Sequence, residues 1–149
     1  MTRSARFIAH FLFAFAAAFL LQSCSTRSAT TPGASSQDLN AALASGELRL
    51  KCGTRCVGSW GSARAKAKGL HDQRLWTDLA AEVGRVGYET DLTYYYLARA
   101  AEGLGHAQAA ATYYKLSLAQ PVKCAAILNN CDGFDVPRDA TAGLDRLMK

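Results

Sequence analysis

Five cysteines are the side chains of this 149-residue chain best suited to chemistry, because thiols form disulfides, bind metals and act as nucleophiles. They are Cys24, Cys52, Cys56, Cys124 and Cys131. Three residues separate Cys52 from Cys56 and six separate Cys124 from Cys131. Zinc sites usually have about two to four residues between paired ligands, so these spacings favour disulfides over zinc.

Other patterns typical of catalytic or metal-binding sites are missing from the sequence. His71 and His106 each stand next to an expected turn and are predicted to lie at the surface. There is no Gly-x-Ser-x-Gly element, no phosphate-binding loop and no cluster of paired carboxylates. Asp132, Asp135 and Asp139 are spaced loosely like a calcium loop but lack its final glutamate. The sequence therefore predicts neither an enzyme nor a bound metal or cofactor.

The N-terminus has the pattern of an export signal. Arg3 and Arg6 precede an uninterrupted apolar run, 11–21, which is shorter than the ~20 residues that span a membrane. The run ends in Leu-Gln-Ser-Cys, and this resembles the lipobox of bacterial lipoproteins. The resemblance implies that residues 1–23 are a signal peptide and that Cys24 is lipidated on sulfur. The alternative is an ordinary secretory signal in which Cys24 has no special role.

The lipoprotein resemblance also implies a location. Ser25, rather than aspartate, follows Cys24, and in this family that favours the outer membrane, with the protein on its periplasmic face. Residues 24–37 are rich in Ser, Thr, Ala, Gly and Pro and are expected to form a flexible tether to a single domain, 38–149. Removing Arg3 and Arg6 lowers the formal net charge from +5 to +3, which gives no reason to expect a nucleic-acid partner.

The four cysteines after Cys24 are expected to form two disulfides, since their number is even and the periplasm is oxidising. Pairing Cys52 with Cys56 and Cys124 with Cys131 closes the shortest loops and therefore costs the least entropy. The two crossed pairings would join the front of the domain to its tail and remain open alternatives.

Apolar residues in the segment 94–121 predict two helices joined by a tight turn. They recur at intervals of three and four, which places one apolar stripe along a helix face. Gly105 follows the first helix, and Pro121 stops the second. The first of these two helices is expected to begin at Asp91, and further helices are expected over 73–86 and, capped by Asp139, at the C-terminus.

These helices resemble tetratricopeptide repeats, helix–turn–helix units of about 34 residues. The matching features are Leu97-Ala98, Leu104-Gly105, Ala110, Tyr114 and Pro121. A shift of 34 residues places Trp60 on Tyr94. The resemblance implies an all-α fold of two degenerate repeats, 57–90 and 91–123, followed by a disulfide-bearing C-terminal cap. The alternative is a pair of ordinary helical hairpins.

The repeat resemblance also implies where a partner would bind. In this family the residue after the tryptophan-equivalent position, and the one four further on, face the inner groove. Here these are Tyr95 and Arg99, and Lys68 of the first repeat is expected nearby. The three are therefore predicted to anchor an envelope protein or peptide. The alternative is that Arg99 pairs with Glu102 or Glu89 on a solvated face.

Together these patterns predict a function in binding. The expected protein is an adaptor or assembly factor of the bacterial envelope, anchored by lipid to the outer membrane. The alternative is a structural lipoprotein that contacts peptidoglycan or lipid headgroups through the basic segment 49–68. That segment carries six basic residues and no acidic one.

Overall fold

The computed structural model describes residues 35–126 and 130–149, and this part of the chain is helical. Its only β-type pairing is an isolated bridge between Cys52 and Tyr88. The predicted all-α fold is confirmed, whereas the predicted signal peptide, Cys24 and nearly all of the tether lie outside the described residues. The described residues form six α-helices, which are α1 (Ser36–Ser45), α2 (Val57–Asp72), α3 (Trp76–Val86), α4 (Asp91–Gly103), α5 (Ala107–Ala119) and α6 (Val136–Leu147).

The helices pack as two adjacent hairpins with a further helix against each. Helix α2 packs on α3, and α4 packs on α5. Contacts of α4 with both α2 and α3 join the hairpins. Helix α1 lies against α3 and α5, and α6 lies against α5 and α4. Helix α1 begins at Ser36, two residues before the predicted start of the domain, because Ser35 forms a capping box with Asp38.

The core is unusually rich in tyrosine for a small helical domain. A buried phenol needs a hydrogen-bond partner, and two of the buried tyrosines form hydrogen bonds with the backbone that follows α1. The Tyr113 hydroxyl accepts from Leu48 N at 3.1 Å, and the Tyr94 hydroxyl accepts from Leu50 N at 3.2 Å. Burial raises the pKa of Tyr113 to about 12. The fully buried tyrosines are Tyr94, Tyr96, Tyr113 and Tyr114.

The helix starts differ from the predictions where side chains compete to cap them. Thr90, not Asp91, is the N-cap of α4, and it forms a capping box with Thr93. Asp135 caps α6 one turn before the predicted Asp139. Helix α3 begins at Trp76, three residues later than predicted, because Arg74 adopts a left-handed backbone with φ 59° and ends the preceding turn.

Both short-range disulfides are present, and the expectation of two disulfides is confirmed. Cys52 bonds Cys56, and Cys124 bonds Cys131. The first disulfide begins at the bridge that joins Cys52 to Tyr88, just before α2. The second closes the segment between α5 and α6 and fixes where the C-terminal tail turns back onto the helices.

Candidate functional site

The segment 131–135, which we call the tail turn, lies on the face shared by α2 and α4. Its Phe134 ring is 5.0 Å from the His71 ring and 5.1 Å from the Tyr95 ring, measured between centroids. Tyr96 adds an edge-on contact at 5.9 Å, and the Lys68 ammonium lies 5.6 Å from the centre of the Phe134 ring. One phenylalanine thus fills an aromatic site built by two helices.

Asp132 supplies a second, ionic contact from the tail turn to the same face. Its carboxylate accepts a hydrogen bond from the Tyr96 hydroxyl at 2.7 Å and forms an ion pair with Arg64 Nε at 3.0 Å. Burial and this hydrogen bond to Asp132 raise the pKa of Tyr96, so the phenol stays a donor. The Asp132 side chain is only 7% exposed, so solvent and salt screen this pair less than an ordinary surface pair.

The backbone of the tail turn is tightly folded. Asp132 has φ 55° and Gly133 has φ 86°, so two successive residues are left-handed. Aspartate tolerates this region better than most residues, and glycine adopts it freely. The Phe134 N–H donates to the Cys131 carbonyl at 2.9 Å and closes the turn. This fold places the carboxylate of Asp132 and the ring of Phe134 on the helices together.

The three predicted anchor residues do lie near one another, but they do not face an open groove. Tyr95 is 6% exposed and packs against Phe134, so it does not line an open groove in this structure. Arg99 pairs with Glu102 at 2.7 Å, the pairing named in the structural alternative for that residue. Lys68 stays partly accessible and forms an ion pair with Asp72 at 2.6 Å. The tail turn covers the face that the repeat pattern had assigned to a partner.

A cluster around Glu102 holds α6 against the second hairpin. The Glu102 carboxylate forms ion pairs with Arg99 and, at 3.1 Å, with Arg146, and it accepts a hydrogen bond from the Tyr114 hydroxyl. Burial alone would raise the pKa of Glu102, but the hydrogen bonds from Arg146 and Tyr114 outweigh it and lower the value. Helix α6 therefore has its own attachment, separate from the contacts of the tail turn.

His71 lies inside the aromatic site rather than at the surface, where the sequence had placed it. Its side chain is 14% exposed, and Nε2 has no hydrogen-bond partner among the described residues. Nδ1 lies 3.2 Å from the Asp72 carboxylate. Burial lowers the pKa of His71, with Arg99 and Lys68 adding to the effect and Asp72 opposing it. The imidazole is therefore kept neutral next to Phe134.

Three of the six cations in the basic segment 49–68 have carboxylate partners within the fold. Arg64 pairs with Asp132, Lys66 with the buried Glu82, and Lys68 with Asp72. Arg49 instead donates to the Gly46 and Leu48 carbonyls. The charge excess read from the sequence is thus smaller on the folded surface.

The described ranges contain no group of three or more His, Cys, Asp or Glu side chains that could hold a metal ion. No helix in these ranges is both long enough and apolar enough to cross a membrane. The four cysteines found there are all in disulfides. These four thiols therefore have a structural role.

The sequence pointed to part of this site and missed its centre. Asp132 and Gly133 were recognisable as a turn, and Phe134 was a lone apolar residue beside them. Their docking between Lys68 and Tyr95 is a long-range contact that no local pattern encodes. The available signal was an aromatic residue, Phe134, between aspartates at 132 and 135, in a segment that begins directly after Cys131.

No protein-family model matches the chain, and neither a curated protein nor a solved structure matches it. Its function must therefore be inferred from its own residues.

Proposed function

We propose that this chain is a lipid-anchored adaptor or assembly factor on the periplasmic face of a bacterial outer membrane. It binds an envelope protein or peptide through the α2–α4 face and carries out no chemistry itself. The observation that supports this is the tail turn. The face accommodates an aromatic side chain and a carboxylate from one short segment, which is how peptide-binding surfaces recognise partners.

The proposal includes kinship of the two hairpins as degenerate tetratricopeptide-like repeats. Helices α2 and α4 begin at Val57 and Asp91, which are 34 residues apart. Both are followed by a shorter or equal antiparallel partner, and α2 also contacts α4. The turns differ, because the first hairpin uses the left-handed Arg74 and the second uses Gly105. Equal helix spacing combined with different turns is what we expect of two degenerate repeats.

The anchor part of the proposal depends on the Leu-Gln-Ser-Cys motif ending at Cys24. Replacing Cys24 by alanine should abolish labelling by an alkynyl fatty acid in cells and block signal processing. Cys52→Ser with Cys56→Ser serves as the matched control and should still label. A Cys24→Ala chain that labels as strongly as the wild type would contradict lipid attachment at this residue.

The binding part is tested by placing a photo-crosslinking amino acid at position 68, at the edge of the α2–α4 face. The same amino acid at exposed position 115 on α5 is the control. Irradiation of intact cells should give one discrete crosslinked partner from position 68 and none from position 115. A chain that crosslinks equally from both positions, or from neither, would contradict binding at this face.

A further inference from the structure

We propose that the tail turn occupies the partner's place, and that the partner is a peptide segment with a carboxylate two residues before an aromatic residue. This deepens the proposed binding function and rests on it. The chain's own Asp132 and Phe134 reveal the chemistry that the α2–α4 face recognises. A partner bearing the same side chains displaces the tail turn and takes over its contacts.

The aromatic half of the site belongs to the helices and not to the tail turn. His71 comes from α2, while Tyr95 and Tyr96 come from α4, and all three rings lie between 5.0 and 5.9 Å from Phe134. Tyr95 and Tyr96 also contact each other, which holds their rings in place. Aromatic rings at these distances favour another aromatic ring over an aliphatic chain.

The carboxylate half of the site is equally independent of the tail turn. Arg64 on α2 and the Tyr96 hydroxyl on α4 provide a cation and a hydroxyl donor that converge on Asp132. The Arg64 side chain is 30% exposed, so an incoming carboxylate can reach it from solvent. Leaving the hydroxyl of the buried Tyr96 without an acceptor is unfavourable, and the neighbouring Arg64 favours an acceptor that is a carboxylate.

The tail turn can leave this face without unfolding the domain. Helix α6 is attached separately, because its Arg146 pairs with Glu102 of α4. The Cys124–Cys131 disulfide anchors the other end of the tail turn. Within residues 131–135 one backbone hydrogen bond, from the Phe134 N–H to the Cys131 carbonyl, closes the turn, and the buried Val136 that follows holds the start of α6 in the core. Opening therefore exchanges the contacts made by Asp132 and Phe134 for the same contacts made by two side chains of a partner.

The test measures binding of a fluorescent peptide of residues 130–137, carrying Cys131→Ser, to the mature anchored chain in detergent. Phe134→Ala in the protein vacates the aromatic site, so this variant should bind the peptide at least about tenfold more tightly than the wild type. The peptide with Phe134→Ala should not bind, and the peptide with Asp132→Asn should bind more weakly. Equal affinity of the wild type and the Phe134→Ala protein would overturn the proposal.

A second protein variant, Asp132→Ala, keeps the Phe134 ring and removes only the ionic contact. It should also bind the peptide more tightly than the wild type, and near-ultraviolet circular dichroism checks that each variant is folded. If neither variant folds, the tail turn is a required part of the core and the proposal is overturned.

Photo-crosslinking from position 68 separates failure of this inference from failure of the binding function. A partner captured in equal amounts by wild type, Phe134→Ala and Asp132→Ala would preserve the binding function and overturn competition by the tail turn. Tight peptide binding by Phe134→Ala with no partner captured in cells would support the recognised chemistry and contradict the adaptor function. A partner captured more by both variants supports both.

Discussion

His71 connects the stability of the domain to pH at the scale of a single residue. Charged or polar groups face it from three directions: Lys68 and Asp72 on its own helix, Arg99, Tyr95 and Tyr96 on α4, and the tail turn with Phe134. Burial lowers its pKa below the ordinary value of 6.5. Protonation would place a cation beside two others in an apolar site, which the fold disfavours.

The sign of the resulting pH dependence follows from this shift. The unfolded chain binds a proton near pH 6.5, whereas the folded chain binds it only at lower pH. The contribution is therefore fully present above about pH 6.5 and is lost as pH falls from there toward the folded pKa. We expect the melting temperature to fall between about pH 7.5 and 5.5, and His71→Phe to flatten this dependence.

His106→Gln is the matched control, since His106 lies at the start of α5, away from the aromatic site. It should keep the wild-type pH profile. A His71→Phe chain with the wild-type profile would contradict the assignment to His71. The carboxylates Glu82 and Glu102 also have lowered pKa values, but their contributions are lost only below their ordinary value of 4.5 and so lie outside this window.

The sequence predicted the disulfide pairing better than it predicted which side chains are accessible to solvent. Loop-closure entropy favoured Cys52–Cys56 and Cys124–Cys131, because that cost depends only on separation along the chain. The exposure of Tyr95 depends on whether a distant segment docks on it. The repeat resemblance assigned Tyr95 to the inner face of α4 but carried no information about Phe134, 39 positions later.

At the scale of elements, glycine decides how closely α6 approaches α5. Gly143 lies in the middle of α6, and a Cβ at this position would clash with the buried ring of Tyr114. Because that ring is fixed by Glu102, it cannot move aside cheaply. Gly143→Ala should therefore destabilise the chain by about 1–3 kcal/mol, measured by urea unfolding.

Gly61 in α2 offers a matched control with the opposite sign. No atom lies within 4 Å of the position that its Cβ would occupy, and the residue is exposed inside a helix. Gly61→Ala should stabilise the chain by about 0.5–1 kcal/mol, because alanine loses less backbone entropy than glycine. If both substitutions shift the free energy of unfolding in the same direction, the close approach of α6 is not the cause.

The two disulfides should differ in what they do beyond stability. Replacing both cysteines of either pair by serine should cost about 2 kcal/mol, since the closed loops are short and similar in length. Only loss of Cys124–Cys131 releases one end of the tail turn. Cys124→Ser with Cys131→Ser should therefore increase binding of the peptide of residues 130–137.

Cys52→Ser with Cys56→Ser is the control and should leave peptide binding unchanged at a similar cost in unfolding free energy. This pair lies before α2 and does not touch the tail turn. Equal peptide binding by the two double variants would mean that the disulfide at 124 does not restrain the turn.

Element boundaries were predictable where apolar periodicity dominates and failed where caps compete. The run of apolar residues in α4 and α5 sets both helices and Gly105 sets their turn, so the second hairpin follows from the sequence. The first hairpin does not, because Arg74 adopts φ 59° where no glycine signals a turn. At α6, Asp135 and Asp139 are both suitable caps, and the earlier one is used because Pro137 fits the first helical turn.

At the scale of the whole molecule, the all-α class could be predicted because helical spacing recurs through the chain and no alternating strand pattern does. The assembly of those helices could not be predicted from local patterns. The folded surface carries fewer unpaired cations than the segment 49–68 implied, because Asp132 and Glu82 reach it from other elements. This pairing is the reason that we favour the adaptor over the headgroup-binding alternative.

The chain from Ser25 onward, which lacks the proposed lipid, provides a test of the headgroup-binding alternative. Arg64, Lys66 and Lys68 each have a carboxylate partner, so few charges are left to bind phosphate groups. We expect no co-sedimentation with phosphatidylglycerol vesicles at physiological salt. Binding at low salt should be weak and should disappear with Lys51→Glu and Arg55→Glu, two of the exposed cations of the segment. Strong binding that persists at physiological salt and depends on these two residues would favour a headgroup-contacting lipoprotein over the adaptor.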